Sequence, residues 1–433
     1  MNSIPLWLAC SLCLLSTACA NTALDGATSA SRLPANAQPA AAQPPAPTLQ
    51  GLRIADPAQL AAAIARYDAL TPPKAQAVAI AADGELASGE SRGRTHELGA
   101  VGAALVACDV ARVQTRIDAP CELHRLNDET FELGRALRIR TRADDPSTPT
   151  ALWRFDHGNA VLYVAGSMHA QRATALPMAP ALETAYGQAQ TLFVEVDMAR
   201  VTQAELLDAA RRYSLLPPGQ TLDGLLSPAQ REPLQKAASQ LGVPWSQLDQ
   251  MRPGSALSVL SVAALATAGF DPANGVESLL LRRAREDGKV IVGIERYADQ
   301  VALLADAPTD DGTQATAAAL APEAMRAGVL ALFDAWMRAD DEAILHAFTG
   351  GAADATESVR SWTARLLDAR NEHMAASAIA HLDTGSGTAL LVVGAGHLPG
   401  PRGVIALLAR AGFTGMQLAR GGLPVSGSAA APP

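Results

Sequence analysis

Two stretches of the sequence share an apolar, strand-forming run that stops at Gly-x-x-His. They are "LYVAGSMH", Leu162–His169, and "LLVVGAGH", Leu390–His397. A glycine at a strand end lets the backbone turn sharply or approach a ligand closely. The histidine three residues later then projects over the edge of the sheet. A lone histidine in such a place is usually structural, but the repetition of the pattern favours a functional role for both His169 and His397.

Two glutamates occupy comparable positions. Glu195 interrupts the otherwise apolar run "TLFVEVDM", where a carboxylate is costly to bury unless it is paired or bound to a metal. Glu295 stands at the end of "KVIVGIE". Two histidines and one or two carboxylates that converge from strand ends are a ligand set for a divalent metal ion. The alternatives are a structural ion pair for Glu195 and a helix cap for Glu295.

The elements that must position these residues alternate between strands and helices from about residue 150 to residue 421. The runs before His169 and around Glu195 are almost continuously apolar, as strands buried on both faces require. We predict an α/β domain at 150–421, in which helices flank a mixed or parallel sheet. Its functional site lies beyond the carboxyl ends of the strands. The two histidines are then close together on neighbouring or next-neighbouring parallel strands, and the strand of Glu195 is adjacent to the first of them.

A smaller α+β domain is predicted at residues 50–145, and it contains one pair of cysteines. Cys108 lies on a helical stretch and Cys121 on a strand-like stretch, "APCELHRLND". An even pair in an exported protein indicates a disulfide, although two unpaired thiols are the alternative.

The two ends of the chain have the composition of targeting and linker segments. Residues 1–20 resemble a signal peptide, and "STAC" resembles a lipoprotein processing site with Cys19 as the lipidated residue; ordinary cleavage to a soluble product is the alternative. The Ala/Pro-rich segment 21–49 is predicted to be a disordered tether, and 422–433 a disordered tail. We expect an exported, periplasmic protein, lipid-anchored to the outer membrane. A net charge of −9 without a cluster of Lys and Arg argues against binding to nucleic acid.

Six short motifs in order give the chain a resemblance to a known family. They are "GSMH", "FVEVD", "GFDPANGVES", "GIERYADQ", "ARNEHM" and "GAGHLPG". This order resembles the TraB/GumN family, which is grouped with the TIKI-like superfamily of metalloproteases. The sequence departs from the family pattern at Ser167, where Thr is commoner, and at Glu277, where Asp is usual. The longer side chain puts a direct role for Glu277 in doubt.

The resemblance implies an α/β domain whose two Gly-x-x-His histidines hold a divalent ion such as Mn, Co or Zn. His169 and His397 would be ligands, and Glu195 would be a ligand or the general base. Glu295 is a further candidate ligand because it stands at a strand end, and not because of the resemblance. Arg370 and Asn371 would orient a substrate carbonyl or carboxylate. The leading hypothesis is a metal-dependent hydrolase that acts on a peptide or protein substrate. The alternatives are a haem- or metal-binding lipoprotein without hydrolytic activity and an interaction protein that retains the fold.

Overall fold

A computed structural model of the chain describes residues 51–54, 65–81, 86–94, 97–117, 119, 121–130, 145–171, 178–267, 269–308, 322–349 and 357–430. The chain divides into two compact units between Gly134 and Arg135. The predicted signal segment, Cys19 and the tether at 21–49 lie outside the described residues. The predicted domain bounds of 50–145 and 150–421 remain predictions.

The smaller unit is a five-stranded antiparallel sheet with one long helix. Its strands are β1 (Gly51–Ile54), β2 (Ala75–Ile80), β3 (Leu86–Ser91), β4 (Glu122–Leu126) and β5 (Glu129–Thr130), and its helix is α1 (Glu97–Thr115). The sheet order is β1-β3-β2-β4-β5. Alanines of β2 and of α1 contribute six of the fourteen buried core residues, so small side chains allow the helix to pack close to the sheet.

Cys108 and Cys121 form a disulfide in this unit, with an S–S distance of 2.03 Å. Cys108 lies on α1, and Cys121 directly precedes β4. Both residues are buried in the core. The predicted disulfide is confirmed.

The larger unit contains a seven-stranded mixed sheet. Its strands are β6 (Pro149–His157), β7 (Asn159–Ser167), β8 (Thr191–Val194), β9 (Val290–Gly293), β10 (Ser386–Gly394), β11 (Gly415–Ala419) and β12 (Pro424–Ala430). The order is β12-β11-β6-β7-β10-β8-β9. The pairs β7–β10, β10–β8 and β8–β9 are parallel, and the remaining pairs are antiparallel.

The helices of this unit connect and cover the strands. They are α2 (Pro180–Gln188), α3 (Gln203–Ala209), α4 (Leu222–Leu225), α5 (Pro228–Gln240), α6 (Trp245–Leu248), α7 (Pro253–Thr267), α8 (Val276–Glu286), α9 (Tyr297–Ala305), α10 (Pro322–Arg338), α11 (Asp341–Thr349), α12 (Glu357–Thr363), α13 (Ala369–Asp383) and α14 (Val404–Arg410). No helix among the described residues is both long and apolar enough to cross a membrane.

The sheet is buried on both faces, which explains the continuous apolar runs in the sequence. On one face, α2 and α8 pack against Leu390 and Val392 of β10. On the other, α13 and α14 pack against Leu391 and Val393 of the same strand. Successive side chains of a strand point to opposite faces, so both sets must be apolar. The predicted α/β fold, a mixed sheet flanked by helices after a small disulfide-bonded domain, is confirmed.

Two expectations about the chain's arrangement were wrong. Residues 424–430 of the predicted disordered tail form β12, which pairs antiparallel with β11 after a turn at Gly422. The hydrogen bonds between β11 and β12 join backbone groups, which every residue type carries. The Pro, Gly, Ser and Ala composition of the segment therefore did not predict the strand. The strand before Glu195 is not adjacent to β7 either, because β10 lies between them. This order places the second Gly-x-x-His strand at the centre of the parallel part of the sheet.

Candidate metal centre

Four parallel strands end at the same edge of the sheet, and each is followed by a candidate residue. Ser167 at the end of β7 lies opposite Gly394 at the end of β10. His169 follows two residues after β7, and His397 closes the 3-10 turn that follows β10. Glu195 directly follows β8, and the amide of Glu295 donates to its carbonyl oxygen at 2.8 Å, which extends the β8–β9 pairing beyond both strands. The sheet register therefore brings all four residues to one edge.

His169, Glu195 and Glu277 form a buried group with the composition of a metal site. Their ligand atoms all lie within 4.8 Å of one another. Nε2 of His169 is 3.6 Å from Oε1 of Glu195, and Nδ1 of the same ring is 3.4 Å from Oε2 of Glu277. One imidazole thus lies between two carboxylates, and the group can hold a metal ion.

His397 approaches the same oxygen of Glu195. Its Nε2 is 3.8 Å from Oε1 of Glu195, while the Nε2 of His169 is 3.6 Å from that atom. Since both distances end at one oxygen, the two ring nitrogens are no more than about 7.4 Å apart. The two Gly-x-x-His histidines therefore share one site, although more than two hundred residues separate them in the sequence.

Asn371 determines which nitrogen of His397 carries the proton. The Nδ2 of Asn371 donates to the carbonyl oxygen of Arg402 at 2.9 Å, so its Oδ1 faces Nδ1 of His397, at 2.7 Å. An amide oxygen only accepts, so Nδ1 of His397 must be the donor. The lone pair of Nε2 is then left facing Glu195. A ligating histidine typically has such a partner on its other ring nitrogen.

Two glycines allow the close approaches that build the site. A Cβ on Gly394 would lie 2.7 Å from Nε2 of His169 and 3.3 Å from Oε1 of Glu195. A Cβ on Gly275, directly before α8, would lie 2.2 Å from the carbonyl oxygen of His169. Glycine at 275 lets the start of α8 pack on the loop after β7, and this contact brings Glu277 to His169. Glycine at 394 keeps open the space beside the imidazole and the carboxylate.

Arg370 joins the two strand-end carboxylates. Its Nη2 is 2.5 Å from Oε2 of Glu195, and its Nε is 2.7 Å from Oε1 of Glu295. Nε2 of Gln300, in the first turn of α9, also bridges the pair, at 3.1 Å from Glu195 and 2.6 Å from Glu295. The other oxygen of Glu195, Oε1, accepts from the amide of Gly394 at 2.6 Å. Glu195 is therefore fixed with Oε1 toward the histidines and Oε2 toward Arg370.

Burial and neighbouring charges set the protonation of the group. Burial alone would raise the pKa of Glu195, but the Arg370 guanidinium and the two imidazoles hold it well below its usual range. Burial, followed by the charge of Arg370, lowers the pKa of His397 to about 3. For His169, burial acts to lower the pKa, and Glu195 and Glu277 outweigh it and raise the pKa. At neutral pH, Glu195 is thus anionic and His397 is neutral, the forms in which each can bind a metal.

Several buried polar atoms at the same edge of the sheet have no hydrogen-bond partner in the described part of the chain, and this suits a site that binds an ion. Among the described residues, Oε1 of Glu277, Oε1 of Gln300 and Oγ of Ser167 are buried without a hydrogen-bond partner. A buried polar atom of this kind is costly unless something bonds to it. Together with the space that Gly394 leaves open, these atoms fit a site built for an ion and its water.

Comparison with known proteins agrees with the order of the motifs. The model of the TraB/PrgY/gumN family matches residues 151–416, more than half of the chain. The chain belongs to the TraB/PrgY/gumN family. The predicted family resemblance is confirmed. No curated protein and no solved structure matches the chain.

Within this TraB/PrgY/gumN domain, the sequence-predicted residues divide into two sets. His169, His397 and Glu195 come together, and Asn371 contacts His397 directly. Glu295 does not face the histidines, because Arg370 and Gln300 bind both of its oxygens. Arg370 contacts carboxylates of the chain itself rather than an open space for substrate.

The sequence assigned no role to two residues of the site. Glu277 lies in the centre although its length put a direct role in doubt, and Gln300 bridges the two carboxylates. Both residues stand in motifs that carry the family resemblance, "GVES" and "ADQ", and this was the one feature of the sequence that pointed to them. Their positions depend on how α8 and α9 pack against the strand ends, and helical periodicity alone does not determine that packing.

Proposed function

We propose that the chain is a metal-dependent hydrolase that cleaves peptide bonds at the edge formed by β7, β10 and β8. The observation that carries the proposal is the arrangement around Oε1 of Glu195, which both Gly-x-x-His histidines approach within 4 Å. The residues that would hold the ion are His169, His397 and Glu195. Membership in the TraB/PrgY/gumN family supports the assignment of these motifs to one domain.

A bound divalent ion would supply an activated water, because it lowers the pKa of that water toward about 7. The chain's own residues then handle charge and protons. Hydrolysis joins the water oxygen to the carbonyl carbon, breaks the C–N bond and leaves one water proton on the departing amine. Oε1 of Glu277 has no partner among the described residues, so it would take that proton from the water and pass it to the amine nitrogen. The second proton of the water stays on the new carboxylic acid. Arg370 keeps Glu195 anionic while it binds the ion.

Glu195 and Glu277 have different roles in this proposal. Glu195 has one oxygen bound by Arg370 and Gln300, so it is a ligand rather than a base. Glu277 orients His169 through Nδ1 and retains a free oxygen. Glu195→Gln should therefore abolish metal binding. Glu277→Gln should retain the ion, with affinity reduced about 10- to 100-fold, and lose turnover.

The proposal is tested by elemental analysis of the purified protein combined with a peptide-library cleavage assay. We expect about one equivalent of Mn, Co or Zn per chain, cleavage that a chelator abolishes, and recovery when the metal is added back. His169→Ala and His397→Ala should lose both the metal and the activity. The control is His373→Ala, an exposed position on α13, which should retain both.

Two results would count against hydrolysis. If the ion binds and no peptide in the library is cleaved, the chain is a metal-binding protein without hydrolytic activity. If His397→Ala retains full metal affinity, the shared site is wrong.

We also propose that the protein is exported and lipid-anchored through Cys19. The Cys108–Cys121 disulfide supports an oxidising compartment, since such bonds are rare in the cytosol. Expression with labelled palmitate should label the wild type and leave Cys19→Ala unlabelled. Label that persists in Cys19→Ala would contradict the anchor.

A further inference from the structure

A cavity lies on the face of the sheet covered by α2 and α8. Aromatic residues are only 4% of the chain, yet the rings of Phe270, Phe333 and Trp336 form a row in which Phe333 contacts both of the others. The Phe270 and Phe333 rings are 5.5 Å apart, and those of Phe333 and Trp336 are 5.7 Å apart. Phe333 and Trp336 line a cavity of about 60 Å³. Its other walls include Leu152, Leu182, Val276 and Met337.

The cavity shares its walls with the elements that present the metal group. Gly166 and Val276 both line the cavity. In the sequence, Gly166 comes three residues before His169, and Val276 comes directly before Glu277. The amide of Val276 donates to the carbonyl of Met168 at 3.1 Å, which joins these two walls. Nε1 of Trp336 donates to the carbonyl of Gly166 at 2.8 Å and fixes the indole against the strand end. The cavity is therefore lined by chain segments that lead directly into His169 and Glu277.

Ser167 directly follows Gly166, which lines the cavity, and its side chain carries a buried polar atom. Its side chain is 2% exposed, and its Oγ has no hydrogen-bond partner among the described residues. Side chains of a strand alternate between faces, so Ser167 projects to the same face as Ala165, which lines the cavity. A buried hydroxyl without a partner, on the same face of β7 as an apolar cavity, is suited to an occupant with an apolar side chain and a neighbouring amide.

We propose that this cavity is a specificity pocket that takes one bulky apolar side chain, such as Leu, Phe or Met, next to the peptide bond that is cleaved. The predicted preference in cleavage rests on the proposed function, whereas the predicted binding of a side chain rests on the cavity alone. Pockets that hold a whole small-molecule ligand have volumes of about 300–1,000 Å³. A cavity of about 60 Å³ therefore suits a single side chain rather than a haem. The Ser167 hydroxyl bonds the peptide backbone of the same residue.

The binding half of the proposal is tested without metal or turnover. The protein is labelled with 5-fluorotryptophan, and Trp336→Phe assigns the Trp336 resonance in its ¹⁹F NMR spectrum. We expect N-acetyl-leucinamide and N-acetyl-phenylalaninamide to shift this resonance, and N-acetyl-glycinamide to leave it unchanged. Leu279→Phe fills the cavity from a half-buried position on α8 and should weaken the binding on the order of 10- to 100-fold. Leu225→Phe, at a position 51% exposed, is the matched control and should bind as the wild type does.

The cleavage half uses the metal-loaded full chain and peptides that differ at one position, with Gly, Ala, Leu, Phe, Asp or Lys. We expect kcat/KM for Leu and Phe to exceed that for Gly by about 10- to 100-fold, and Leu279→Phe to remove the preference. Ala179→Leu, a second filling variant at a half-buried position, should act in the same direction if Leu279→Phe fails to fold.

The outcomes separate the two proposals. Equal shifts with the glycine and leucine probes, or a Leu279→Phe protein that binds the probes like the wild type, overturn the pocket. A side-chain preference that Leu279→Phe leaves unchanged also overturns it. Probe binding that Leu279→Phe weakens, without cleavage of any peptide by the wild type, supports the pocket and rejects the hydrolase.

Discussion

The amide of Gly394 donates a hydrogen bond to Oε1 of Glu195 at 2.6 Å. This bond ties the end of β10 to the carboxylate that follows β8, and the absence of a side chain at 394 keeps the adjacent space open. A Cβ there would lie 2.7 Å from Nε2 of His169. A side chain at 394 would occupy the space beside the imidazole and the carboxylate, and only glycine leaves that space open.

Gly394→Ala should fold and lose the metal. The new methyl group would displace His169, so we expect divalent-metal affinity to fall by at least about 100-fold, measured by isothermal titration. The control is Gly187→Ala on α2, where a Cβ meets nothing within 4 Å, and this variant should bind like the wild type. Wild-type affinity in Gly394→Ala would mean that the ion does not sit beside Nε2 of His169.

Asn371→Ala should weaken metal binding about 10- to 100-fold without abolishing it. The variant loses the acceptor that holds Nδ1 of His397 at 2.7 Å and keeps the ring itself. The matched control is Glu372→Ala, the next residue on α13, which is exposed. Competition with a metallochromic dye measures both. Complete loss of binding in Asn371→Ala would show that Asn371 is itself a ligand.

Arg370→Leu should destabilise the metal-free protein by about 3–5 kcal/mol, because Glu195 and Glu295 would be left buried without their cation. Arg365→Leu on the preceding turn removes an ion pair to Asp306 that is about half exposed, and should cost no more than about 1 kcal/mol. Urea denaturation followed by circular dichroism compares the two. Equal free energies of unfolding in both variants would refute the role of Arg370 in holding the carboxylates.

The metal-free protein should lose stability in acid partly through His397. Its folded-state pKa is lowered to about 3, whereas an unfolded histidine titrates near 6.5. Between these values the unfolded chain binds a proton that the folded chain does not, so the free energy of unfolding falls as the pH falls from about 6.5 toward 3. His397→Gln cannot titrate and should reduce this slope by up to one proton, about 1.4 kcal/mol per pH unit.

Urea denaturation between about pH 4.5 and pH 7 measures the slope in the presence of a chelator. The exposed His373→Gln should retain the wild-type slope. If the slopes of His397→Gln and the wild type coincide, His397 is not held neutral in the folded state.

Loss of the Cys108–Cys121 disulfide should destabilise the smaller unit. The bridge closes a loop with a sequence separation of 13, which predicts a loss of about 3 kcal/mol in the Cys108→Ser/Cys121→Ser double variant. Thermal denaturation with and without reductant checks this, and reductant should not affect the double variant. An unchanged melting temperature in the double variant would contradict the prediction.

The antiparallel part of the larger sheet could not be predicted in full from the sequence. β11 and β12 are short and contain small residues, and β12 has the composition of a linker. Their pairing depends on backbone hydrogen bonds to strands distant in sequence, as between Gly415 and Phe155. Such long-range pairing leaves little trace in local composition.

By itself, the sequence predicted the α/β fold and the disulfide, and it predicted that His169, His397 and Glu195 meet at one edge of the sheet, where the structure brings them together. Gly-x-x-His after a buried strand fixes where a histidine stands, since a strand end and a glycine turn are local features. The roles of Glu277, Glu295 and Gln300 were decided only by the tertiary structure. Glu295 pairs with Arg370, and Glu277 instead reaches His169 because Gly275 lets α8 pack on the loop after β7. Which carboxylate meets which cation depends on the packing of helices against strand ends, an interaction between segments far apart in the chain.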